Sequence, residues 1–185
     1  MSPLALKPDL AYHVRRAIYQ KMAGDTGTAA WRGLAYHEGE SDGLLGSSVA
    51  TDLTHSIYYA YAPDGAEYPY VIFHKQSGTP VYTFKTGPAV GDGHAIADNE
   101  LWLIKGVAHD TEAHPSAMDA ADKIASRIDA LFTDGALALP TITATTEAVT
   151  QLYLRRETDI AFSEEEDGET YFHHGALYRL MYSAT

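Results

Sequence analysis

The chain contains no cysteine, which excludes a disulfide framework and any thiolate metal site and is compatible with a reducing compartment. It is also short of cations: 13 Lys and Arg stand against 25 Asp and Glu, for a formal charge of −12. That deficit argues against a nucleic-acid-binding surface, because phosphate contacts need clustered basic side chains. No apolar run approaches the ~20 residues that a membrane span requires. Residues 1–9 have neither a basic segment nor an apolar stretch of the kind that opens a signal peptide. The expectation is a soluble chain without membrane contact, not exported by these routes.

What is present fits a folded domain. At 185 residues with 45% hydrophobic and 21% charged residues, the sequence is long enough to bury a sizeable core as a single domain spanning 1–185. Tyrosine is in excess, with 13 copies. Most of these serve as ordinary strand residues. On the order of four suit a surface buried only on assembly, since tyrosine combines apolar area with a hydroxyl.

Periodicity predicts a first helix over residues 8–23, with Pro8 in its first turn and Ala11, Val14, Ile18 and Met22 on one face. Residues 24–54 are rich in Gly, Ser, Asp and Thr and read as a long loop or arm. Ile57–Tyr61 and Tyr70–Lys75 read as antiparallel strands joined through the Pro63-Asp64-Gly65 turn. Ser77-Gly78-Thr79-Pro80 is expected to break the second of them. A second loop is predicted over 86–99, then a strand from Glu100 to Ala108.

The sharpest helix signal follows. Ala117, Ala121, Ile124, Ile128 and Leu131 recur at steps of four, three, four and three, extended by Phe132 and stopped by Asp134-Gly135, with Thr111 or a neighbour as cap. Runs at 148–156 and 170–182 read as a closing hairpin whose tip is Glu164-Glu165-Glu166-Asp167-Gly168. The fold class predicted is α+β: a single mixed, mainly antiparallel sheet packed against two helices, with long loops.

Nine histidines raise the question of a metal. His173 and His174 are adjacent, however, and neighbours on a strand point to opposite faces. No helical His-x-x-x-His pair occurs. His37-Glu38 and His109-Asp110 offer bases without a visible partner, and Ser47-Ser48 lacks the glycine frame of a nucleophile elbow. Gly91-Asp92-Gly93-His94 lacks the lysine and following helix of a phosphate loop. No catalytic, metal or cofactor residue is assigned.

The segments Tyr58 to Pro63, Glu67-Tyr68-Pro69-Tyr70-Val71-Ile72-Phe73 and Ser77-Gly78-Thr79, followed by the Ala120-Ala121-Asp122 helix ending at Leu131, come in a telling order. Over residues 8–183 the chain resembles the tail-completion, or tail-terminator, proteins of long-tailed bacteriophages. The resemblance implies a structural virion protein, assembled in the host cytoplasm and located at the neck-proximal end of the tail. It would form a ring, usually of six copies, that caps the major tail tube protein and meets the head-neck connector, with DNA passing through unbound. No reaction and no cofactor are implied. Loops 24–54 and 86–99 are long for the family, and no role carries over to them.

A closed ring of heterologous contacts needs two unlike, complementary patches per subunit. The candidates are Arg15, Arg16 and Lys21 on the first helix and Glu164, Glu165, Glu166 and Asp167 at the hairpin tip. Three other readings compete: a head-neck stopper or adaptor subunit, a small metal-dependent hydrolase using the histidines and carboxylates, and a monomeric module with an aromatic ligand pocket.

Overall fold

A computed structural model describes residues 10–23, 57–66, 68–82, 95–110, 116–133, 141–142 and 147–184. The 24–54 arm therefore lies outside the described residues, as do Pro8, Thr111, Pro115, Asp134, Gly135 and the 86–94 part of the second loop.

The elements run α1 (Leu10–Ala23), β1 (Ile57–Tyr59), β2 (Tyr70–Tyr82), β3 (Ala95–His109), α2 (Ala117–Thr133), β4 (Thr141–Ile142), β5 (Glu147–Glu166) and β6 (Glu169–Ala184). The strands form one open, mixed sheet in the order β1-β2-β3-β6-β5-β4. All described pairings are antiparallel except β1 with β2. The α+β class with one sheet and two helices is as the sequence predicts. No described helix is long and apolar enough to cross a membrane.

Alternation along β3 divides the sheet into two faces. Trp102 and Ile104 point to the helices, as do their partners Lys75, Phe73, Tyr178 and Ala176. The core joins α1 (Val14, Ala17, Ile18, Met22), α2 (Ile124, Ile128, Phe132) and this face. The α2 stripe is buried as the spacing predicts. On α1, Ala11 is exposed and Ala17 takes its place, because 14, 17, 18 and 22 share one face. Gly106 gives α2 its close approach: an added Cβ would sit 2.7 Å from Ile124 Cγ2.

Four expectations are corrected. First, β1 and β2 are parallel, pairing Ile57 with Val71 and Tyr59 with Phe73. The Pro63-Asp64-Gly65 turn exists, with Ala66 N–H donating to the Pro63 carbonyl at 3.1 Å, but it does not close a hairpin. Because β1 is only three residues long, the segment 60–69 has ample reach to return the chain to the start of β1. Second, β2 runs straight through Ser77–Pro80, and the irregularity is absorbed as a register shift between Lys75 and Ser77. Pro80 is tolerated because β1 pairs only with residues 71–73, so the outer side of β2 at Pro80 needs no N–H.

Third, β3 begins at Ala95, so residues 95–99 of the predicted loop are strand. Asn99 is held there by Arg179 Nη1, 3.1 Å from its Oδ1. Fourth, Glu164, Glu165 and Glu166 end β5, and the turn itself is only Asp167-Gly168. Both turn residues have positive φ, 53° and 86°, the requirement of a two-residue type I′ hairpin.

α2 begins where Ser116 offers its carbonyl to Ala120 N–H at 3.1 Å. The Asp110 carboxylate accepts from Ala117 N–H at 2.8 Å, meeting one of the donors that a helix start leaves open.

Candidate functional site

The two charge patches stand at opposite edges of the sheet. α1 contacts α2 and β1, the strand at one edge, while β5 lies toward the other. Within one chain the structure does not bring the patches together.

Each patch is partly committed. The Arg15 guanidinium lies 4.7 Å from the Tyr59 ring centre and 5.4 Å from that of Tyr12, a cation–π arrangement that fixes the side chain against β1. Arg16 is exposed and Lys21 half-buried in the last turn of α1, where a cation favours the carbonyl end of the helix dipole. On the acidic side, Glu164 is tied to β6 through His173. Glu165, Glu166 and Asp167 are exposed and form no ion pair among the described residues.

The sheet face away from the helices carries a polar chain that the sequence reading missed. Lys105 Nζ lies 3.0 Å from His173 Nδ1, and His173 Nε2 lies 2.8 Å from Glu164 Oε1. An ammonium only donates, so Nδ1 accepts and Nε2 carries the proton that goes to the carboxylate. Phe162 stacks on the imidazole at 4.5 Å, and Lys105 Nζ sits 4.9 Å from the same phenyl ring. Gly175 makes this possible, since it stands directly opposite Lys105 with no side chain in the way. His174 points the other way, its Nδ1 2.6 Å from Asp122 of α2.

Burial lowers the proton affinity of His173, with Lys105 adding to the effect and Glu164 opposing it. Burial, then Lys105, lowers that of His74 as well, and burial lowers that of Lys105. Because folding depresses both histidines, the unfolded chain takes up protons first as pH falls below their ordinary 6.5. Stability therefore declines from there downward until the folded values are passed, by at most about 1.4 kcal/mol per pH unit for each group. A thermal-unfolding series from neutral to mildly acidic pH should show this fall, and His173→Asn should flatten it. An unchanged pH slope in that variant would remove the assignment.

Asp122 and His174 line a groove of about 240 Å³ between α2 and the β5–β6 hairpin, together with Ser163. The trio has the residue types of a hydrolytic triad, but Ser163 and His174 are not hydrogen-bonded, so the contact that activates such a hydroxyl is not made. Among the described residues no three His, Asp or Glu converge as metal ligands would. No protein-family model matches the chain, and no curated protein aligns with it significantly.

Proposed function

We propose that this chain is a structural subunit of a ring that terminates a phage tail tube and joins it to the head-neck connector. The observation that carries the reading is the placement of unlike charges at opposite edges of one open sheet. A basic α1 beside β1 and an acidic β5–β6 tip are what head-to-tail contacts between identical copies require. The order of aromatic segments and α2 in the sequence supports the tail-terminator assignment over a neck adaptor. The acidic balance suits a lumen through which DNA slides without adhering.

Electron microscopy of the purified chain with preassembled tail tubes tests this. Closed rings at tube ends are expected, weakening as salt is raised, because exposed ion pairs are screened. Arg15→Glu/Arg16→Glu should lower ring occupancy at least tenfold, the equivalent of about 1.4 kcal/mol. Occupancy and salt dependence unchanged by the double reversal would refute the charge-mediated contact, and a chain that never associates with tubes would refute the function.

A further inference from the structure

We propose that the outer edge of β5 pairs with the same edge of a second copy of the chain, as two antiparallel strands related by a two-fold axis at Ala161. From Thr150 to Glu166 this edge has no strand partner among the described residues, β4 covering only Glu147 and Ala148. An unpaired row of N–H and C=O groups of this length is a template for strand addition. None of its side chains described is buried. Three of the chain's exposed large apolar residues lie on it: Leu152, Tyr153 and Phe162.

The choice of a second copy comes from the order of charges. Arg155 and Arg156 precede Glu164, Glu165 and Glu166 along the same strand, so reversing one strand against another sets opposite signs face to face. With the axis at Ala161, Ile160 meets Phe162 and Thr158 meets Glu164. Glu157 already falls in a register shift, between Arg156 and Thr158. Stepping over it places Arg156 opposite Glu165 and Arg155 opposite Glu166, each pair occurring twice by symmetry.

Directly opposite residues share a sheet face, the arrangement in which cross-strand charges and apolar groups interact. A parallel, in-register pairing would align like charges instead. Arg155, Glu165 and Glu166 form no ion pair among the described residues. Arg156 is already paired with Asp129 and Asp159 and would share its charge with Glu165, so the Arg155–Glu166 pair is the one that gains most from the contact. The dimer does not depend on the ring reading. It uses the same carboxylates, so the two contacts exclude each other.

The absence of cysteine gives a clean test on the full chain. In Ala161→Cys the residue on the axis faces its own copy at the ~4.5–5.5 Å separation of Cβ atoms in cross-strand pairs, within disulfide reach. Mild oxidation should yield a disulfide-linked dimer. Tyr61→Cys, 77% exposed beyond the opposite edge, should stay monomeric. By sedimentation, Arg155→Glu and Glu166→Arg should each weaken dimerisation about tenfold, and the double swap should restore it. Cross-linking of Ala161→Cys no faster than Tyr61→Cys, or a double swap that fails to rescue, overturns the proposal. Rings on tail tubes with no Ala161→Cys cross-link before assembly would sink the dimer and leave the ring reading intact. Cross-linking of oxidised Ala161→Cys, with no rings formed on tubes by the unmodified chain, would do the reverse.

Discussion

Gly175→Ala is expected to abolish cooperative folding, leaving aggregated or unfolded protein in place of a sharp urea transition. The missing side chain is demanded by close backbone contact: an added Cβ would overlap the Ile104 carbonyl oxygen and lie 2.5 Å from Lys105 Cα. Neither atom can rotate away as a side chain would. Overpacking in a core typically costs about 1–3 kcal/mol when side chains adjust. Here the β3–β6 ladder itself must part, and it joins β1, β2 and β3 to β5 and β6. A loss of more than about 3 kcal/mol is a large fraction of the ~5–15 kcal/mol that holds a domain. A variant melting within a few degrees of the parent would show that β3 and β6 are not packed this tightly.

The second large effect is expected at Glu100, a carboxylate 2% exposed inside the core. Trp102 Nε1 donates to it at 2.9 Å and the Tyr182 hydroxyl at 3.0 Å, and Lys75 completes the set. Glu100→Ala removes the common acceptor of all three. Lys75 is partly exposed and regains water, so the cost falls on the two buried donors and the cavity, about 3 kcal/mol together. For a chain of this length that lowers Tm by roughly 6–12 °C. Glu100→Gln keeps the shape and one acceptor and should lose about half as much. Calorimetry that found both variants at the parent Tm would mean that the cluster contributes nothing to stability.

Elements whose burial follows a local period were legible in the sequence. α2 was readable because one stripe of a single helix meets one sheet, and every position named for it is buried. The Glu164-Glu165-Glu166 run was misread as a turn because charges are depleted in strands. That penalty applies to strands that bury a face, and this end of β5 is exposed on both. Parallel pairing of β1 was hidden by good turn chemistry at Pro63-Asp64-Gly65, since a turn shows that the chain bends without showing where it goes.

The Lys105–His173–Glu164 chain was out of reach for a different reason. Its members come from three strands, and they meet only once β3, β6 and β5 are in register. Gly175, two residues after His173 in a run otherwise rich in bulky side chains, was the one local hint that something crosses there. Of the charge patches, the sequence supplied the residues. Their separation to opposite edges depends on strand order, which no local pattern encodes.

Pro80 has a wider consequence. Outside β1 it leaves the flank of β2 without a hydrogen to offer at that position, so a strand arriving there finds an interrupted ladder. Among the described residues only the β5 flank is open over a long span, and the proposed two-fold contact uses that flank up on both molecules. If the proposed pair forms, growth by strand addition is therefore self-limiting: among the described residues it leaves no second long flank from which a fibril could elongate.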